Sequence, residues 1–451
     1  MNDHGSFELD TSQRKVGPIW LSPGVRPVHV WTLFYTGAMT IAFINVLNLL
    51  NPYILREHLG MATSGHGDFT GNVYVATELV TMLLAVFIGV SSDRVGRRPV
   101  FVTGFLIITI GMLIMPMIET PWAYTVLRLC MSAGIGMCTT MVGSLCADYP
   151  QNAHRGKFIS ANGLASGLGI ILVASFGISQ LPQFFVGRGA TSVQAGDYTF
   201  WITGALAFVT ALVARLGLRP GRVLQAENDA GRPVGELARI GFAEIRKNSR
   251  LVLGCGATFL SRGDLTVLAT FFSLWLMALG ADNSMETAAA QGITGRLFGL
   301  SQVAMLLSLP FIGMLVDRLD RVTGLCIAMA LAAAGYFALG LVNDPFNSPM
   351  IYPAVLSMGV GEAAMIVSVP AMIHQEAPLQ MRGSIIGVMA AFGGLGIVLN
   401  IKIAGLLFDG FSYQAPFLWM GIVNLAMLVW AVIVRLRTGR THHGITRPVH
   451  S

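Results

Sequence analysis

Twelve stretches of about 20 mostly apolar residues follow one another along this chain, and no other feature restricts its fold as much. They run 30–52, 70–91, 99–118, 122–146, 158–180, 197–217, 251–280, 293–316, 322–342, 350–373, 384–408 and 414–436. A helix of about 20 residues crosses a bilayer core. Charged residues make up only 12% of the chain, against about 25% in a soluble protein. The expectation is an all-α membrane protein with twelve transmembrane helices.

The net charge of +6 does not point to nucleic acid, because the basic residues are segregated. Of the 29 Lys and Arg, 23 fall in the N-terminal segment, the even-numbered loops and the C-terminal segment, counting the span ends that adjoin them (Arg215 and Arg435). Only Arg56 and Arg188 fall on the opposite side, and Arg128, Arg262, Arg296 and Lys402 lie inside spans. That asymmetry is the positive-inside pattern and predicts that both termini are cytoplasmic. The opening "MNDHGSFELDTSQRKVGPIW" is polar and acidic and lacks a signal-peptide pattern. With the short loops, this gives the expectation of a bacterial inner membrane.

Motifs of other membrane machines are missing from the sequence. No GxxxxGK[ST] phosphate loop, TVGYG-like filter, HExxH zinc site or GxSxG serine elbow occurs, so neither an enzyme nor a resident cofactor or metal is expected. The five cysteines, Cys130, Cys138, Cys146, Cys255 and Cys326, lie within spans and read as small packing residues. "FGGLGIVL" (392–399) follows no strand, so it reads as close helix packing rather than a nucleotide fingerprint.

The chain repeats itself. "GVSSDRVGRR" follows span two and "GMLVDRLDRV" follows span eight, 224 residues later. "DYPQNAHRG" follows span four and "EAPLQMRG" follows span ten, with Asp148, Pro150, Arg155 and Gly156 matching Glu376, Pro378, Arg382 and Gly383. The offset there is 228, then 227 across a one-residue gap. Two echoes at equivalent places mark a duplicated six-helix unit. The expected organisation is a tail at 1–29, a first bundle at 30–217, a linker at 218–249, a second bundle at 250–436 and a tail at 437–451. The later linker, "GELARIGFAEIRKNSR", reads equally as an amphipathic surface helix or a solvated connector.

Gly89-x-x-x-Asp93-Arg94-x-Gly96-Arg97-Arg98 resembles the loop 2–3 signature of the major facilitator superfamily. Arg128 with Gly134 and Gly136 resembles a second, looser motif of that family, and "DYPQNAHRG" its helix 4–5 loop. The resemblance implies two pseudo-symmetric six-helix bundles working by alternating access. It also implies that spans three, six, nine and twelve stand outside a central cavity. Asp93 with Arg97 would then latch the cytoplasmic gate, with Asp317 and Arg318 at the equivalent place in the second copy, where Gly96 and Arg97 become Asp320 and Arg321. Span five lacks the Gly-Pro then Gly-Gly of several antiporter branches, which weighs against drug efflux without removing it. "NVLNLLNPYIL" is faintly similar to the first helix of lipid and organic-anion carriers, with Asn51-Pro52 where those often have Asp-Arg.

Ionisable side chains inside spans cost about 2.5–3.5 kcal/mol each on insertion scales and are functional candidates by default. They are Glu78, Arg128, Arg262, Asp264, Arg296, Glu362 and Lys402. Arg296 and Lys402 can snorkel toward an interface. Arg262 and Glu362 share a mid-membrane depth, so an ion pair between them is expected. Arg262 and Asp264 point some 200° apart on a regular helix and cannot pair with each other. A carboxylate in a low-dielectric cavity can take a proton on one side and release it on the other, and Glu78, Asp264 and Glu362 are the possible carriers. Arg128 and Arg262 suit a carboxylate or phosphate. Asn45, Asn48 and Asn51 form a polar stripe that reads equally as pathway or as helix–helix glue, and Asn400 is a weaker contact candidate.

The sequence therefore leads to a monomeric, proton-coupled secondary transporter of a small organic solute, anionic or amphiphilic. Its partners are that solute, protons and the lipid bilayer. Efflux of drugs, siderophores or lipid-like molecules is the nearest alternative, then an uncoupled facilitator. A transporter-like receptor that binds solute without moving it is the alternative from another class.

Overall fold

The computed structural model describes residues 13–221, 234–378 and 381–439. Parts of the expected tails (1–12 and 440–451) and of the linker (222–233) lie outside the described residues, as do Leu379 and Gln380 in the second loop echo.

The first helices are α1 (Pro27–Leu49), α2 (Asn51–Glu57), α3 (His66–Val95), α4 (Arg97–Ile114) and α5 (Pro121–Asp148). There follow α6 (Arg155–Gly169), α7 (Leu181–Val186) and α8 (Ser192–Gly217). The remainder are α9 (Val234–Lys247), α10 (Ser249–Asp282), α11 (Thr287–Arg318), α12 (Arg321–Gly340), α13 (Ile351–Glu376), α14 (Arg382–Gly410) and α15 (Ala415–Thr438). Pro27 and Pro121 open α1 and α5, where a missing N–H costs nothing. Between α6 and α7 the chain makes a π-helical stretch, Ile170–Ser175, within one continuous span, 152–186.

Among the described residues eleven helical segments are long and apolar enough to cross a membrane, and α3, counted as one bent span, makes twelve. Leu83, Phe87, Leu307, Phe311 and Leu341 are each more than 65% exposed, which suits hydrocarbon and not water. Span number and helical class agree with the sequence.

By contact the chain divides into two units. The first takes in the described residues up to His66, those from Asn72 to the linker, and Leu276–Gly299. The second takes in Gly67–Gly71, the described linker residues on to Trp275, and those from Leu300 onward. In the first unit α4 packs on α5 and α8, and α1 on α6 and α8. In the second, α12 packs on α13 and α15. Span three on four and six is thus matched by span nine on ten and twelve.

The repeat reaches into this packing. A Cβ on Gly134 would lie 2.8 Å from the backbone oxygen of Gly104 in the neighbouring helix. Gly361, 227 residues further on, would carry a Cβ 2.7 Å from the Ala332 Cα. Both positions let two helix backbones approach closely, the usual device where apolar burial cannot drive helix association.

The loop echoes also fold alike, each inside its own unit. Arg97 lies 2.5 Å from Asp93 and 3.2 Å from Asp148, tying the ends of α3, α4 and α5. Arg321 lies 3.0 Å from Asp317 and donates to Gln375 at 3.0 Å, tying the ends of α11, α12 and α13. The turns between them differ. Gly96 has φ +105°, a backbone that favours glycine. Asp320 instead caps α12 by accepting from the Thr323 N–H at 3.2 Å and pairs with Arg435 at 3.2 Å.

Candidate functional site

In the first unit, Arg128 on α5 is buried and stacks over the Tyr74 ring of α3, with 5.3 Å from guanidinium carbon to ring centroid. Among the described residues Arg128 forms no ion pair, and its Nε is buried without a hydrogen-bond partner. A guanidinium cannot discard its charge. Isolated buried charge is expensive, so this cation is in want of an anion.

The asparagine stripe supports that cation from behind. The Tyr74 hydroxyl donates to Asn48, and the Tyr124 hydroxyl donates to Asn51. Asn45 turns back on its own helix and donates to the Ile41 carbonyl at 2.9 Å. Asn48 and Asn51 thus fix two phenols beside Arg128, and Asn45 does not join them. Glu78 lies half-buried one turn along α3 from Tyr74. Tyr74 and Tyr124 do not stand out in the sequence, because they carry no charge and a tyrosine in a span is common.

The second unit buries two carboxylates. Asp264 on α10 is 4% exposed and Glu362 on α13 is 7% exposed. Neither forms an ion pair among the described residues. Asn424 of α15 donates to both Asp264 carboxylate oxygens, at 3.0 and 3.2 Å. The Tyr336 hydroxyl of α12 donates to the Asp264 backbone oxygen at 2.8 Å. Gln302 of α11 donates to Glu362 at 3.1 Å.

The ion pair expected between Arg262 and Glu362 is not formed. Glu362 takes a neutral amide, and Arg262 is exposed, its stem lying against Gly393 of α14. Equal depth gave one coordinate of the pair; the angle around the helix axis supplies the other. Arg262 and Asp264 do point apart, as helix geometry requires. Asp264 is the one turned toward α12 and α15, which are spans nine and twelve.

Two more candidates, Asn400 and Lys402, lie on α14. Asn400 donates to Gly396 at 2.9 Å and accepts from the Trp419 indole at 3.2 Å. Lys402 lies 2.5 Å from Asp68, within the short stretch Gly67–Gly71 that belongs to the second unit. Asp409 accepts from the Gly67 and Asp68 N–H groups, at 3.1 and 2.6 Å, capping the free donors at the start of α3. Arg296 donates back to the Gly292 carbonyl at 3.2 Å.

Of the loop 2–3 signature, Asp93, Gly96 and Arg97 carry the turn and ion pairs described above, while Gly89 has open space around it. Arg94 is exposed, Arg98 is half-buried, and Arg318 in the second copy is exposed. Among the described residues no cluster of His, Cys, Asp and Glu could hold a metal ion.

A family model described as the Major Facilitator Superfamily matches residues 33–298 and 254–449. The chain is 26% identical over 427 residues to magnetosome protein MamH of Paramagnetospirillum magneticum, covering 92% of this chain and 94% of that one. It is 24% identical over 419 residues to magnetosome protein MamZ of Magnetospirillum gryphiswaldense, covering 89% of this chain but 61% of that longer one. It is 23% identical over 425 residues to multidrug resistance protein MdtG of Enterobacter lignolyticus, covering 90% and 91%. The nucleoside transporter NupG shares the fold at a TM-score of 0.70 and 14% identity, over 91% of this chain and 99% of NupG.

Proposed function

The chain belongs to the Major Facilitator Superfamily, and from that premise we propose that this transporter is proton-coupled and carries a small organic anion or anionic amphiphile. It is a multi-pass membrane transporter and not an enzyme. The support for the finer reading is a mismatch of buried charge. Among the described residues Arg128 is a buried cation with no ion pair, and Asp264 and Glu362 are buried acids whose partners are neutral, the amides of Asn424 and Gln302. A carboxyl group can shed its charge by taking a proton, whereas a guanidinium needs a counter-anion. Protons therefore go to the carboxyls and the substrate's negative group goes to Arg128.

The orientation we propose has both termini cytoplasmic, on the charge asymmetry, in a bacterial inner membrane. The loop 2–3 signature is the cytoplasmic gate, with Asp93 and Arg97 its working pair. Two likenesses favour second readings. MamH and MamZ support a carrier of the magnetosome membrane. MdtG supports outward transport of a drug-like amphiphile.

The test is a thermal-stability screen of purified protein against small carboxylates and phosphate esters, followed by counterflow in proteoliposomes with whichever compound stabilises it. An anion that stabilises wild type but not Arg128→Gln, and that exchanges, bears the proposal out. Stabilisation without exchange identifies a receptor, and stabilisation by neutral compounds alone sinks the anion reading.

A further inference from the structure

We propose that Asp264, not Glu362, carries the coupled proton, and that Asn424 serves it in both charge states by turning its amide over. This rests on the proton-coupled reading above and names the residue that performs it.

The Asn424 amide is oddly matched to its surroundings. Its Nδ2 has two hydrogens but three acceptors in reach: Asp264 Oδ1 at 3.0 Å, Asp264 Oδ2 at 3.2 Å and the Met420 carbonyl at 2.9 Å. Its Oδ1 is buried with no partner at all. A buried orphan acceptor costs about 1–3 kcal/mol. An asparagine that only packed α15 against α10 has no reason to carry it.

Protonation of Asp264 supplies the missing donor. One oxygen–hydrogen bond forms on the carboxyl and no other covalent bond changes. The new O–H needs an acceptor, and a half-turn of the Asn424 amide presents Oδ1 to it. With the carboxylate charged, Nδ2 faces it; with the acid neutral, Oδ1 faces it. Gln302 beside Glu362 carries no such orphan among the described residues.

Among the described residues the groups around Asp264 leave it no competing cation. From α12 comes the neutral Tyr336 hydroxyl, which donates to the Asp264 backbone oxygen and also lies by its side chain. From α13 comes Glu362, a like charge that acts on Asp264, with Gln302 of α11 bound to it. From α14 comes Asn400, close to Gly263 and bound by Trp419. On α10 itself Arg262 is exposed and points the other way. Asn424 is therefore a positioning residue, and it sits on span twelve, which carries no ionisable group in its interior.

The experiment is an infrared pH titration of the full chain in nanodiscs of phosphatidylethanolamine and phosphatidylglycerol, following the carboxylic-acid carbonyl band. We expect a buried band that titrates, is absent in Asp264→Asn and persists in Glu362→Gln. We expect Asn424→Ala to move its midpoint by about one pH unit, a tenfold change in proton affinity. A band lost in Glu362→Gln but kept in Asp264→Asn overturns the assignment while leaving proton coupling intact. If no buried carboxyl titrates, the assignment and the coupled reading both fall. If Asp264→Asn does not fold, the Asn424→Ala midpoint decides, and an unmoved midpoint overturns the role given to Asn424.

Discussion

Lys402 and Asp68 form an ion pair at 2.5 Å, although 334 residues separate them in sequence. Asp409, two turns beyond Lys402 on α14, caps the same end of α3 through the Gly67 and Asp68 N–H groups. Gly67 and Gly405 bring the two backbones together: a Cβ on Gly405 would lie 2.5 Å from the Gly67 carbonyl oxygen. One lysine, one capping carboxylate and a close backbone crossing thus fix residues 67–71 to α14.

The parts of that junction are unequal. The pair is partly exposed, and such pairs contribute about 0–1 kcal/mol. Lys402→Met therefore lowers thermal stability slightly, and less so at high salt. Gly405→Ala forces backbones apart and costs about 1–3 kcal/mol. Unfolding of the purified variants by differential scanning fluorimetry ranks them, and equal losses would contradict the assignment of the junction to backbone contact.

Arg128 gives a sharper contrast. Ligand at about 100 times Kd stabilises a protein by about 2.7 kcal/mol. Arg128→Gln loses that stabilisation with every anion found in the screen. Arg128→Lys keeps the charge but not the planar fork, and recovers only part of it. Retention of full stabilisation by Arg128→Gln would remove this residue from the site.

The loop network predicts separation of binding from movement. Asp93 and Asp148 both pair with Arg97, so Asp93→Asn leaves the end of α5 tied to α4 but removes the ion pair to α3, where only the neutral Ser92 hydroxyl still accepts from Arg97 among the described residues. Counterflow falls about tenfold or more, a change of about 1.4 kcal/mol, while anion-induced stabilisation stays at the wild-type level. Loss of both together would mean that Asp93 supports the fold and not the cycle.

Fold and site differ in how far the sequence reaches. The spans are apparent because a bilayer imposes one length and one polarity on every crossing, and the repeat because Asp93-Arg94 and Asp317-Arg318 recur at equivalent places, as do Asp148 and Glu376. The buried charges are equally apparent, since each stands out in an apolar stretch. Their partners are not. Arg262 and Glu362 share a depth but not a facing direction, which packing of α10 against α14 and of α13 against α12 decides. Asp264 turned toward α12 and α15 because its neutral partners Tyr336 and Asn424 are there. Neutral polar residues give no charge signal, so Asn424, Gln302 and Tyr74 stood hidden among ordinary helix contacts. Lys402 meets Asp68 because the glycines at 67 and 405 let the start of α3 approach the α14 backbone closely.

The most direct test of proton coupling is uptake into proteoliposomes of the anion found in the screen, with and without an imposed pH gradient. Wild type should accumulate the anion against its concentration gradient when the pH gradient is present. Asp264→Asn should only equilibrate it, with counterflow preserved. Wild type that only equilibrates the anion under the pH gradient would contradict proton coupling, and full pH-driven accumulation by Asp264→Asn would contradict the place given to Asp264.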